Sequence, residues 1–197
     1  VLGPPDPAAL ARVIDRRGQV VAWGLYSPDS ELVVRILAFG ETPVSGSWLE
    51  ARMTTALVAR QRLGFGSNQT TGFREINSEG DGLPGLVVDR FGDVRVAQIT
   101  TAPMAVREAA IVDVLREPGI EVLVLRPERA ARLEAFEPGP TGTPPAHLEF
   151  LEHGLRFRAP APPAQKTGAY LDQRDNRARL ASLAESQAAP LLDVGCH

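Results

Sequence analysis

The sequence predicts an α+β protein of more than one domain. Three observations predict it. Short runs rich in Val, Ile and Leu, punctuated by turn residues, fill the chain as far as Gly40; helical spacing then appears between Trp48 and Leu63; and from Phe73 onward strand and helix patterns alternate until an apolar run reaches a glycine turn at Gly195. With 197 residues, 44% of them apolar and 23% charged, the chain suffices for one domain with a full core or for two or three small ones.

In the first part, "ALARVID", "VVAWGLY" and "ELVVRILAF" are separated by "RRGQ" and "SPDS", which carry the Gly, Pro, Asp and Ser of tight turns. They predict a small antiparallel β-barrel or sheet. Trp23, Tyr26 and Trp48 could serve as stacking platforms for bases, but scattered aromatics in a small barrel are expected to be core. "SWLEARMTTALVARQRLG" then changes the period: Leu49, Met53, Ala56, Leu57, Arg60 and Leu63 recur at helical spacing, with Ser47 as N-cap and Glu50 three residues later. This is a connecting helix ending at Gly64. Arg52, Arg60 and Arg62 are expected on a solvated face, with RNA contact as the competing reading.

The middle part opens with "FREINSEGDGLPGLVVDRFGDVRVAQITT". Turn residues at Glu79–Gly82 and Phe91–Asp93 bracket "LPGLVVDR", and "VRVAQIT" follows with period-two alternation, which predicts a hairpin. A helix pattern "MAVREAAIVDVLRE", a strand "IEVLVLR", a further short helix, a Pro/Gly-rich loop and two short strands around His153 and Gly154 complete this part. Glu79, Asp81 and Asp89 could pose as paired carboxylates for acid/base work, but the glycines and proline among them specify turns, and Asp89 with Arg90 would close the hairpin. His147 and His153 lack a second ligand at metal spacing, so no metal site is expected.

The last part carries the densest polar chemistry. "APAPPAQ" is a stiff linker, "KTGAYLDQRDNRARLASLAES" begins a helix that Asp172 can cap, and "PLLDVGC" reads as a buried parallel strand. An acid at a strand end followed by x-Gly-x opens the nucleoside cradle used by S-adenosylmethionine (SAM) enzymes, because glycine admits close backbone approach; alone, the pattern is weak. The single cysteine, Cys196, excludes an internal disulfide framework and a cysteine-based zinc site and fits a reducing compartment. No long apolar run and no basic-then-apolar leader is present, so neither a membrane span nor a secretory signal is expected, and the cytoplasm is the expected location. A net charge of −3 argues against nucleic-acid binding by bulk electrostatics, though a local basic face can still provide it. A chain that starts at Val1 and stops just past an apolar strand pattern is expected to belong to a longer parent.

"INSEGDGLPGLVVDRFGD", "EHGLRF", "KTGAYLDQRDNR" and "LLDVGCH", in this order, resemble the bacterial SAM-dependent large-subunit rRNA methyltransferases that form 5-methylcytidine, and "VIDRRGQVVAWGLYSPDSELVVRIL" is similar to the PUA strand pattern of that family. The resemblance spans nearly the whole chain. It implies a PUA-like RNA-binding domain with its connecting helix over residues 1–68, a central strand-strand-helix-strand-strand domain over 69–160, and over 161–197 the first helix and strand of a Rossmann-like methyltransferase domain. The implied cofactor is SAM and the implied partner large-subunit rRNA; a homodimer is left open, since some relatives dimerise.

The same resemblance implies that Gln173 lies near the methionine group of SAM and that Asp193 and Gly195 are SAM-proximal. It turns Lys166, Arg174 and Arg177 toward RNA phosphates or toward the central domain. The competing reading is a capped helix start with exposed ion pairs, each worth at most about 1 kcal/mol. The family's nucleophilic cysteine, in a late "SCS"-like motif, and its "DPP" motif would both fall beyond His197, so no catalytic residue is assigned within the chain and this stretch alone is expected to be inactive. Such a cysteine is needed because C5 of a neutral pyrimidine is too poor a nucleophile until a covalent adduct enriches it. Cys196 sits where the cofactor is expected and is read as a small buried side chain. Two other classes remain: a stand-alone RNA-binding module, and a fragment of a nucleotide-cofactor oxidoreductase.

Overall fold

The computed structural model describes residues 6–7, 9–162 and 166–185. Asp193, Gly195 and Cys196, with the strand pattern that carries them, lie outside the described residues.

The N-terminal strands β1 (Leu10–Ile14), β2 (Val20–Tyr26) and β3 (Val34–Phe39) pair antiparallel in the order β1-β2-β3. Among the described residues they form an open sheet, one of the two forms the sequence allows, and not a closed barrel. The reason is where their apolar side chains go. Leu25 and Leu37 enter one core with Trp48, Leu49 and Met53 of the following helix and with the central sheet, so that helix supplies the second layer. The β2/β3 register shifts between Trp23 and Gly24, where an added Cβ would lie 2.5 Å from the Arg35 carbonyl oxygen; only glycine lets β3 approach so closely. Trp48 is buried, and Trp23 is half-buried with its indole N–H donating to the Glu41 carbonyl.

Helix α1 (Trp48–Arg62) has Ser47 at its N-cap position, but the Ser47 hydroxyl makes no capping bond and lies 3.1 Å from the Ser45 hydroxyl instead. Two of its three arginines are not on a solvated face. Arg52 donates to the carbonyls of Gly82 and Leu37, both at 2.6 Å, and Arg60 pairs through both terminal nitrogens with Asp81 at 2.7 Å. Each side chain reaches the turn after the next strand, which fixes α1 against the central sheet; Arg62 stays exposed.

That sheet has the order β4-β5-β6-β7-β8, from β4 (Gly72–Asn77), β5 (Leu86–Phe91), β6 (Val94–Ile99), β7 (Glu121–Arg126) and β8 (Gly139–Thr141). All pairs are antiparallel except β6/β7, which is parallel and joined through α2 (Ala102–Ala105) and α3 (Glu108–Leu115). The outer strands β4 and β8 are additions to the expected order, and the single expected helix is two. Helix α4 (Glu128–Glu134) follows β7.

The sheet is covered on both faces, as its alternating burial requires. Leu86, Val88, Ala97, Ile99 and Val124 face α1 and α3, whereas Phe91, Val96 and Leu123 face the hairpin β9 (His147–Glu152) and β10 (Leu155–Pro160). On that second face Phe150 meets Phe91 edge-on at 5.3 Å between ring centres and stacks on Phe157 at 5.6 Å. Leu171, just before α5 (Arg174–Glu185), joins this second core and so fixes where the polar segment begins.

Candidate functional site

The segment from Lys166 to Arg177 lies against the central sheet, and its polar side chains are held by named partners. Thr167 is buried and donates its hydroxyl to Asp89 Oδ2 at 2.6 Å. Asp89 sits on β5, is 1% exposed, and also accepts from Arg74 Nε and Nη2 at 2.9 and 3.0 Å. Gly168 follows at φ +137°; an added Cβ would lie 2.7 Å from Leu148 Cδ1 and 3.1 Å from the Pro160 carbonyl oxygen. The Thr-Gly pair is thus required by packing against the sheet. Asp89 does not close its hairpin with Arg90, as the sequence suggests, but reaches Arg74 on β4 and Thr167 beyond the second core.

Lys166 is exposed and stands at the rim of a cleft of about 710 Å³ with Gln98, Leu125, Arg126 and Pro162. Its ammonium lies 3.2 Å from Asp172 and 4.2 Å from the centre of the Tyr170 ring. The same ammonium, hydrogen-bonded to Asp172, holds that carboxyl below its ordinary range.

Gln173 ends the 3₁₀ turn Leu171–Gln173 and is exposed; its Oε1 accepts from Asn176 Nδ2 at 2.7 Å, while its own Nε2 makes no hydrogen bond among the described residues. Arg174 points the other way. Its guanidinium lies 4.6 Å from the centre of the Phe65 ring and its Nε donates to Asp175 at 3.0 Å. Arg177 is bound into the central part of the fold: Nε and Nη2 donate to Glu152, which is 2% exposed, and Nη1 donates to the Tyr170 carbonyl at 3.1 Å. Lys166, Gln173, Arg174 and Arg177 therefore share one docked segment, with Arg177 turned inward.

Arg174 lines a second cleft, of about 320 Å³, with Arg60, Phe65, Phe73, Arg74, Asn77, Leu171 and Asp172. This cleft lies where α1, β4 and the start of α5 meet. Sequence reasoning missed Thr167, Asp89, Arg74, Phe65 and Glu152 as parts of the site. The one signal available was a carboxylate inside the apolar run "LVVDRF", which calls for a buried partner. Among the described residues, no three His, Cys, Asp or Glu side chains gather as metal ligands; His147 lies against Glu149 and Arg158, and His153 Nε2 is 3.9 Å from Asp175. No helix of the described residues is long and apolar enough to cross a membrane.

A profile of the PUA-like domain family matches residues 1–39. The chain is 38% identical over 196 residues to a ribosomal RNA large subunit methyltransferase of Deinococcus radiodurans, covering 92% of this chain and 48% of the relative. It is 33% identical over 192 residues to ribosomal RNA large subunit methyltransferase I of Salmonella arizonae, covering 94% of this chain and 47% of that protein. The chain spans about half the length of the curated relatives it matches. Among solved structures, it superimposes with TM-score 0.68 and 18% identity on a protein of Streptococcus mutans assigned as a SAM-dependent methyltransferase, covering 90% of this chain and 46% of that one. A second, an assigned methyltransferase complexed with S-adenosylhomocysteine, gives TM-score 0.69 at 18% identity over 88% of this chain and 45% of that one. These likenesses show a shared fold across the described elements.

Proposed function

We propose that this chain is the RNA-recognising and partly cofactor-binding portion of a large-subunit rRNA methyltransferase that transfers a methyl group from SAM to C5 of a cytidine. The observation that carries the reading is similarity at 38% identity along 92% of the chain to a protein named for that class of reaction, with the PUA-like match at its start. The structural likenesses add that the fold is one that SAM-type proteins use.

In this reading residues 1–68 and 69–160 position RNA, and residues from 161 onward begin the methyltransferase domain. SAM supplies an electrophilic methyl group when bound. The residues present fit such a ligand in one respect: Gln173 is exposed, fixed at the mouth of a docked helix, and keeps an amide N–H₂ available to donate to a carboxylate. Asp193 and Gly195 would complete the cradle at a strand end. Lys166 and Arg174 offer cations toward RNA phosphates, while Arg177, by its pairing with Glu152, holds the helix that presents them. The nucleophile that activates the pyrimidine is assigned to none of these residues.

The test is methyl transfer. A polypeptide of the relatives' full length that contains these residues is incubated with radiolabelled SAM and a large-subunit rRNA transcript, and the modified nucleoside is identified by mass spectrometry. 5-Methylcytidine supports the reading; SAM bound and a different methylated nucleoside formed overturns the C5 assignment; RNA bound with no SAM binding overturns the enzyme and favours an RNA-binding module.

A further inference from the structure

We infer that the cleft between α1, β4 and the start of α5 seats one unpaired nucleotide of an RNA strand, with Arg174 as its phosphate and base contact. The inference rests on the chain's RNA-recognising role and adds the place where the strand is gripped.

The cleft is built as a layered stack that ends in a cation. Phe73, buried on β4, stacks on Phe65 with ring centres 5.3 Å apart and planes 15° from parallel, and the Arg174 guanidinium closes the stack at 4.6 Å from the Phe65 centre. A planar guanidinium held over an aromatic ring is a surface on which a base can stack, and it donates to phosphate in the same plane. Arg174 uses only Nε internally; Nη1 and Nη2 have no hydrogen-bond partner among the described residues, although the side chain is just 14% exposed. A cation held in place by Phe65 and Asp175, with two donors open to a cleft, is suited to an anion.

The rest of the lining fits the same ligand. Arg60 and Arg74 are positioned by Asp81 and Asp89, so they are rigid parts of the wall. Arg74 is still 39% exposed and adds positive potential beside Arg174. Asp172, the one carboxylate of the lining, is already paired with Lys166. Leu171 gives an apolar floor, and the Asn77 Nδ2 amide is a donor at the edge. The volume of about 320 Å³ lies at the low end of small-ligand sites, the size of a single nucleotide and not of a folded duplex.

The experiment measures fluorescence anisotropy of a labelled, unstructured oligouridine on the 197-residue chain and on Arg174→Gln, Phe65→Leu and Arg62→Gln, with each variant's thermal midpoint recorded. The expected result is a roughly tenfold loss of affinity for Arg174→Gln with a salt slope shallower by about one, a smaller loss for Phe65→Leu, and no change for Arg62→Gln, which is exposed and outside the cleft. Arg174→Lys, which keeps the charge and loses the plane, should recover the salt slope and only part of the affinity. If the chain binds the oligonucleotide and all four variants bind equally, the cleft is not the site while the RNA-recognising role stands. Should the unaltered chain bind no oligonucleotide, the inference fails here, and the methyl-transfer assay decides the proposed function separately.

Discussion

Thr167 donates its hydroxyl to Asp89 at 2.6 Å across 78 positions of chain, joining the loop before α5 to the middle of the central sheet. The bond ties together the two longest polar motifs of the sequence. Asp89 has a use for both its oxygens there, since Arg74 approaches each of them. Thr167→Val removes the donor and keeps the shape, so it should cost about 1 kcal/mol. Asp89→Leu strands the buried Thr167 hydroxyl and frees Arg74 to water, and should cost about 3 kcal/mol. Urea unfolding of both variants checks the order; equal losses would show that Thr167 contributes all of the contact.

Gly168 predicts a steeper response to a smaller change. At φ +137° an alanine is strained, and its methyl would meet Leu148 and the Pro160 carbonyl oxygen at 2.7 and 3.1 Å. Gly168→Ala should therefore destabilise by about 2 kcal/mol or more and should detach the segment locally before the sheet unfolds. Hydrogen exchange at the amides of Leu171 to Arg177 reads this directly: faster exchange there with β5 and β6 unchanged is the expected pattern.

The sequence made several strands legible because turn residues bound their apolar runs. The run "LVVDRF" is apolar and bracketed by turns, "VRVAQI" begins in alternation, and "ALARVID", "VVAWGLY" and the hairpin at Gly154 are bounded by turn residues. It did not reveal β4, whose "GFREIN" mixes Arg and Glu with apolar residues, because Glu75 is buried against Arg95 and Arg74 reaches the buried Asp89. Charges that pair inside look like charges outside when read along one strand. The same blindness hid the roles of Arg52 and Arg60, whose carbonyl and carboxylate partners are distant in sequence. Motif order pointed to the segment at Lys166 to Arg177, but only packing shows Arg177 turned inward and Arg174 turned to a cleft. Asp193 and Gly195 rest on the sequence alone.

Glu134 gives the fold an acid-sensitive joint. It lies at the end of α4, 4% exposed, and binds Arg35 of β3 at 2.6 Å and the Ala102 N–H of α2 at 3.2 Å. Burial alone would raise its carboxyl, but hydrogen bonds from Ser30, Ser27, Ala102 and Arg35 together outweigh it and hold the carboxyl below its ordinary value of 4.5. A carboxylate whose folded pKa is depressed stabilises the fold at pH values above its unfolded pKa, and that contribution is lost as pH falls through the folded pKa. The N-terminal sheet should then loosen from α4 on acidification below about pH 4.5. Glu134→Gln should be less stable than the parent at pH 7 and should show a flatter decline in acid, measured as thermal midpoint from pH 7 to pH 3. Parallel curves for the two proteins would remove Glu134 as the source.

Arg177 and Glu152 separate docking from RNA contact. Every nitrogen of the Arg177 guanidinium has an acceptor: Nε and Nη2 on Glu152, Nη1 on the Tyr170 carbonyl. Its side chain is 37% exposed and that of Glu152 only 3%, so the pair is half screened and its worth lies below that of a fully buried bridge. Glu152→Gln should cost about 1–2 kcal/mol, Arg177→Met a similar amount, and the double variant less than their sum, because each single change leaves one group without its partner. RNA affinity supplies the contrast. Arg177→Met, assayed where the variant is fully folded, should keep the salt slope of the parent, since a guanidinium already committed to a carboxylate neutralises no phosphate. A slope shallower by about one would instead place Arg177 on the RNA backbone and require Glu152 to release it on binding.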